Sequence, residues 1–158
     1  IVDEAAWAAL IDGSTCPMCR GTDRIVIATL SSGRVELIND ANFIGYCVLV
    51  YRRHVVELYD LDADERKQLI EDISQVAQTI AKQCHPEKFN YEMMGNAVPH
   101  LHCHIVPRYR NDGYWGGPLW WRPLEKISRL AEAEYKALAE RLQKLYVQRM
   151  HRKIIHLD

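Results

Sequence analysis

The chain has 158 residues and 18.3 kDa, the size of one ordinary domain, and its 48% hydrophobic and 26% charged residues exclude wholesale disorder. Lys plus Arg number 20 against 21 for Asp plus Glu, a formal net charge of −1, which argues against a protein whose main task is to neutralise nucleic-acid phosphates. Seven His and five Cys are the uneven entries in an otherwise average composition.

The first dozen residues, with Trp7, Leu10 and Ile11 at helical spacing, predict a short amphipathic helix ending near Gly13. Asp3 and Glu4 stand where a signal peptide would carry positive charge, and no run approaches 18 apolar residues, so no membrane span is expected. The chain opens at Ile1 without Met, so a few leader residues are expected to precede it. Cys16-Pro-Met-Cys19 follows in a Ser/Thr/Pro/Gly-rich loop. An odd cysteine count with a CxxC points to metal or redox chemistry in place of a disulfide framework, and to a reducing cytoplasm.

Ile25 to Leu30 and Arg34 to Ile38, split by Ser31-Ser32-Gly33, read as a hairpin, and Tyr46 to Tyr51 as a third, buried strand. Asp62 with Glu65 forms a capping box ahead of a helix striped by Leu69, Ile70, Ile73, Val76, Ala77 and Ile80, which should end before Pro86. Phe89 to Met94 and Leu101 to Tyr109 are further strands, joined by Gly95-Asn96-Ala97-Val98-Pro99. Arg110 to Trp121 is Gly- and Trp-rich and irregular, and Leu124, Ile127, Leu130, Tyr135, Leu138, Leu142 and Leu145 mark a final helix from Pro123 to about Met150. The expected architecture is a single α+β domain over residues 1–158, a mostly antiparallel five-stranded sheet with helices packed on one side. Its core spans about residues 16–109, with a helical extension over about 123–150.

His100-Leu101-His102-Cys103-His104-Ile105-Val106 is the most informative stretch. Alternation along a strand points the three histidines one way, about 7 Å apart, with Leu101, Cys103 and Ile105 pointing the other. Three titratable rings on one face of an apolar strand are costly unless that face lines a site or meets solvent. The stretch resembles the H-φ-H-φ-H-φ-φ signature of the histidine triad (HIT) superfamily, and the following Pro107-Arg108-Tyr109 is familiar from many members. The resemblance covers roughly Cys16 to Tyr109.

That resemblance implies a nucleotide hydrolase acting at an α-phosphate on dinucleoside polyphosphates, phosphoramidates or adenylates. His102 would be the nucleophile, forming a nucleotidyl-histidine, because a neutral imidazole attacks at physiological pH without a strong base. A backbone carbonyl would hold its other nitrogen. His104 would stabilise charge on the phosphate, and Asn96 with nearby backbone N–H groups would bind it. Asn39 would bind the ribose hydroxyls, with Asp40 in its place if the loop shifts by one. Both also suit a turn between strands. Water is the expected acceptor; a phosphorylase or nucleotidyltransferase, and a non-catalytic zinc-stabilised nucleotide-binding scaffold, are the alternatives.

A CxxC supplies two of the four ligands of a structural zinc, and it leads through Gly21 into a strand, not straight into the helix of a redox motif. His54, His85 and the triad are the candidates to complete it. The zinc-binding branch of the HIT superfamily implies Cys16, Cys19, His54 and His100, a structural Cys₂His₂ zinc. Cys47, Cys84 and Cys103 read as buried apolar cysteines, and His85, His151 and His156 as solvated. Trp115, Trp120 and Trp121 with Tyr114 read as packing for the terminal helix or a dimer seam, with stacking on a base or closure over a leaving group as the alternative. The family implies a homodimer, to which Tyr135 and Tyr146 would contribute. The expected partner is a small nucleotide, with neither membrane nor nucleic acid.

Overall fold

Asp3 opens the molecule by accepting the Ala6 N–H at 2.8 Å, capping helix α1 (Glu4–Ile11). A computed structural model describes residues 3–155; His156 lies outside the described residues. The CxxC, expected in a loop, forms a single helical turn, α2 (Pro17–Arg20). Pro17 sits at its first position, where a fixed φ favours a helix start, with Cys16 as the capping residue.

Strands β1 (Ile25–Thr29), β2 (Gly33–Leu37) and β3 (Cys47–Tyr51) follow as an antiparallel meander. Gly33 admits no side chain, since a Cβ there would lie 1.9 Å from the Val50 carbonyl oxygen. Helix α3 (Ala63–Cys84) begins at the expected box, with Asp62 accepting from the backbone of Asp64 and Glu65. It ends one residue before Pro86 at His85, whose left-handed backbone (φ 52°) turns the chain back. Strands β4 (Lys88–Glu92) and β5 (His102–Arg108) complete an antiparallel sheet of order β1-β2-β3-β5-β4, and α4 (Glu132–Ile155) closes the fold.

The sheet has two different faces. Leu37, Cys47, Leu49, Cys103 and Ile105 pack beneath α3 and α4 in the main core, with Leu69, Ile73, Val76 and Ile80 from the α3 stripe and Leu138 and Leu142 from α4. Phe43, Tyr46, Val48, Val50, Val106 and Leu119 form a smaller cluster on the opposite face, with Met18 of α2 packed against it. The triad strand puts its even-numbered side chains on this second face.

Helix α4 starts at Glu132, nine residues later than the spacing predicts. Only one 3₁₀ turn, Leu124–Lys126, forms in the interval. The backbone beyond it bonds to the β2–β3 loop in place of itself. Ala41 N–H donates to the Ser128 carbonyl (2.9 Å) and Leu130 N–H to Asn39 Oδ1 (2.8 Å). Leu124 and Ile127 are consequently exposed. Tyr135 and Tyr146, expected at a dimer interface, turn inward on their own sheet: the Tyr135 hydroxyl donates to the Leu37 carbonyl at 2.7 Å, and Tyr146 packs against the main core. Among the described residues, no helix is long and apolar enough to cross a membrane.

The same loop is tied from its other side. Asp40 and Arg122 are buried together, Nη1 donating to Oδ1 at 2.9 Å and Nη2 to Oδ2, with the guanidinium 4.8 Å from the Phe43 ring centroid. Asp40→Ala leaves a buried cation without its partner. The expected loss is about 3–5 kcal/mol, seen as a lowered denaturant midpoint at unchanged slope. A midpoint equal to wild type would contradict this account.

Candidate active site and metal centre

The four expected metal ligands converge from three parts of the chain. Cys16 and Cys19 come from the α2 turn, His54 from just beyond β3, and His100 from the approach to β5; their donor atoms all lie within 4.8 Å of one another. Cys16 Sγ and Cys19 Sγ each lie 3.5 Å from His100 Nδ1, and Cys19 Sγ lies 3.4 Å from His54 Nδ1. A tetrahedral zinc with Zn–S of about 2.3 Å and Zn–N of about 2.0 Å requires S···N edges of about 3.5 Å. The outer nitrogens are already committed: His54 Nε2–H donates to the Ile11 carbonyl and His100 Nε2–H to the Tyr51 carbonyl, both at 2.9 Å. Each Nδ1 therefore presents its lone pair inward, the tautomer that a metal requires. Gly13, at φ +85°, lets the chain pass flat against the His54 ring, which a Cβ would approach to 3.1 Å. His85 is exposed at the far end of α3 and takes no part.

His100 precedes the β5 ladder, and its ring turns toward the cysteines, away from the other two histidines. His102 and His104 share the second face, opposite Val50 and Val48 of β3. Their ring centroids are 4.9 Å apart, not about 7 Å, because the rings lean edge to face. His102 Nδ1–H donates to the His100 carbonyl at 2.5 Å, leaving Nε2 with the free lone pair. Burial holds the His102 imidazole below its ordinary pKa, so it is neutral at physiological pH.

His104 is buried as well, and desolvation, aided by His102 and Arg24, pushes its pKa down to about 3. Its Nδ1 lies 2.6 Å from the Tyr46 hydroxyl. Burial raises the Tyr46 pKa, so the phenol stays protonated and donates, leaving His104 Nε2–H as a donor facing outward. Trp120 meets the His104 ring edge to face at 5.0 Å, although about half of its surface is exposed. Trp115 and Trp121 are exposed as well. The loop that carries Trp115 is held by the buried Arg108, which donates to Asp112 Oδ2 (2.7 Å) and the Gly117 carbonyl (2.6 Å).

Two cavities flank the pair of histidines. A larger one of about 810 Å³ is lined by His104, Tyr46, Ile38, Asn39, Trp120 and Arg24. A smaller one of about 450 Å³ is lined by His102, Gly95, Asn96, Met93, Met94 and Trp7. Asn39 and Asn96 therefore line different cavities. The Asn39 amide is engaged with the Leu130 backbone, donating to its carbonyl at 3.2 Å and accepting its N–H at 2.8 Å, whereas Asn96 is exposed in its loop. Asp40 is given over to Arg122.

Sequence reasoning passed over Tyr46 and Glu92 as site residues. Tyr46 was open to discovery, because Tyr46, Val48 and Val50 alternate on one face of β3. Glu92 required the β4–β5 register, in which it stands opposite His104.

Comparisons with known proteins agree with this architecture. The family model described as the HIT domain matches residues 24–111. A histidine triad protein from Bradyrhizobium japonicum superposes with a TM-score of 0.70 at 32% identity, covering 78% of this chain and 91% of that one. A zinc-bound histidine triad family protein from Mycobacterium smegmatis, at 19% identity and TM-score 0.60, shares the fold over 85% of this chain and 95% of its own. The Protein hit of Bacillus subtilis (strain 168) is 28% identical over 82 residues, 48% of this chain; the match spans about half, 55%, of that curated relative.

Proposed function

We propose, on the premise that this chain belongs to the HIT domain family, that it is a nucleotide hydrolase acting at an α-phosphate through a nucleotidyl-histidine intermediate. The observation that carries this reading is the His102 hydrogen bond. With Nδ1–H donating to the His100 carbonyl, the neutral ring offers the Nε2 lone pair beside the cavity that His102 lines. Attack on phosphorus by Nε2 expels the leaving group and gives a nucleotidyl-His102. Water then displaces the imidazole and releases a nucleoside monophosphate. One hard displacement becomes two easier ones.

His104 Nε2–H donates to the phosphoryl oxygens as negative charge gathers on them, from a position that Tyr46 holds before substrate arrives. The larger cavity takes the nucleoside, with Asn39 toward the sugar hydroxyls, and Asn96 with the backbone N–H groups around it meets the phosphate. Cys16, Cys19, His54 and His100 would hold a structural zinc, which supplies no activated water because four protein ligands fill a tetrahedron. Its contribution is to fix the backbone of His100, the acceptor that orients His102. Free thiols throughout the chain suit a reducing cytoplasm. A homodimer is consistent with β4, whose outer edge no strand of the described chain covers.

Rapid denaturation after mixing with dinucleoside polyphosphate, nucleoside phosphoramidate and adenylate substrates tests this reading. Mass spectrometry should find a nucleotidyl group on the His102 peptide. Absence of both adduct and released monophosphate with every substrate would overturn it.

A further inference from the structure

The larger cavity crosses the sheet, and its two ends differ in chemistry. Glu36 of β2 stands opposite Val48 of β3, and Val48 opposite His104 of β5, so the three side chains form one row on the second face. At about 4.8 Å per strand, Glu36 lies about 10 Å from His104. A nucleoside with its phosphate at the histidines and its sugar toward Asn39 would extend its base toward the Glu36 end of that row. Arg24, which precedes β1, lines the cavity there, beside Asp23.

Glu36 is a buried carboxylate with a full set of donors. One oxygen accepts from Arg34 Nε (2.7 Å), the other from Thr22 Oγ1 (2.9 Å) and Arg24 Nη1 (3.3 Å). Arg34 is fixed in turn, its Nη2 donating to the Met18 carbonyl at 2.8 Å. Arg24 is thus seated by one nitrogen on a rigid anchor, with 44% of its side chain exposed. Its Nε and Nη2, an edge of the guanidinium that can make paired bonds, meet no acceptor among the described residues. The cavity's other arginines are not poised in this way. Arg122 gives both Nη groups to the buried Asp40, and Arg129 has no such anchor among the described residues.

A guanidinium with a free edge distinguishes bases by the atoms they present. Guanine offers two adjacent acceptors, O6 and N7, which match that edge. Adenine offers N7 beside its N6 amino group, so one N–H of the fork would face another N–H. Guanine also carries N1–H and N2–H donors, which suit a carboxylate such as Asp23. We propose that Arg24, positioned by Glu36, is a base-specificity residue that makes paired hydrogen bonds to guanine, and that the substrates are guanosine nucleotides in preference to adenosine nucleotides. Guanine recognition rests on the nucleotidyl-histidine reading of the site, but it acts two strands away from the reacting histidines and leaves the displacement at phosphorus unchanged.

Two measurements separate base recognition from chemistry. Calorimetric titration with GMP and AMP reads binding without turnover, and kcat/KM for the p-nitrophenyl esters of GMP and AMP reads hydrolysis with one common leaving group. Wild type should favour guanine at least about tenfold in each, the scale of one bidentate pair. Arg24→Leu should erase the preference. Arg24→Gln should shift it toward adenine, because a carboxamide presents one donor and one acceptor, the complement of N6 and N7. Glu36→Gln, which keeps Arg24 but loosens its seat, should lower the ratio several-fold; an unmoved ratio would remove its positioning role. Because each ratio compares two ligands on one preparation, partial unfolding of a variant cancels. Equal use of the two bases by wild type, or a preference that neither Arg24 substitution moves, would overturn guanine recognition and leave the hydrolase reading intact. Tighter binding of GMP with neither ester hydrolysed and no adduct on His102 would uphold guanine recognition and overturn the hydrolase reading. Binding of neither nucleotide would overturn both.

Discussion

His102→Ala is expected to lower kcat/KM for nucleotide hydrolysis by about 10³-fold or more, equivalent to about 4 kcal/mol of lost transition-state stabilisation. The reason is geometric. His102 is the ring whose Nδ1–H is tied to a backbone carbonyl, so Nε2 is always the free nitrogen. His104 cannot substitute, because its Nδ1 is engaged by Tyr46 and its remaining nitrogen carries the proton. Alanine at position 102 removes the covalent route and leaves only binding and the donors around the phosphate. The check is steady-state kinetics on wild type and variant, with thermal melts to show that both are folded. The ring is buried but lies outside the main core, so the melting temperature should move by only a few degrees. Turnover by the variant within tenfold of wild type would refute the assignment.

Loss of the metal centre is the second large effect. Elemental analysis of gently purified protein should find about one zinc per chain, and Cys16→Ser with Cys19→Ser should abolish it. A bound metal at a thousand times its dissociation constant stabilises by about 4 kcal/mol, or about 10 °C in a domain of this size. The double variant and the chelator-treated wild type should both melt lower by about that amount. Activity should fall with it, since the carbonyl that orients His102 belongs to His100, whose ring is one of the four donors. Zinc near zero in wild type would remove the Cys₂His₂ assignment. Equal melting temperatures with and without chelator would remove its structural role.

Most of the fold was legible along the chain because it depends on short-range periodicity. The Asp62–Glu65 capping box, the α3 stripe and the alternation through the triad strand are each decided within a few residues, and each appears at its expected place save for Ile70 of the stripe, which is exposed, and His100, which precedes the ladder and turns toward the cysteines. The start of α4 was not legible. Leu124, Ile127 and Leu130 keep helical spacing, but their segment finds its hydrogen-bond partners in the β2–β3 loop about 90 residues earlier, and local propensity loses to that pairing. The roles of the tryptophans were hidden for a similar reason. Nothing near Trp120 in sequence signals that its ring will rest against His104.

The candidate residues were legible from type and spacing along the chain: two cysteines with two residues between them, and three histidines on alternate positions. Side-chain type and spacing are written in the chain, and the residue types suited to binding a soft metal or attacking phosphorus are few. Only the tertiary structure decided how that chemistry is divided and directed. It turned His100 toward the cysteines, set Tyr46 against His104, engaged Asn39 with Leu130 and left Glu92 Oε1 without a donor among the described residues. Those outcomes follow from strand register and from which backbone groups remain to be satisfied once the sheet has formed, and both depend on residues that meet only in the folded chain.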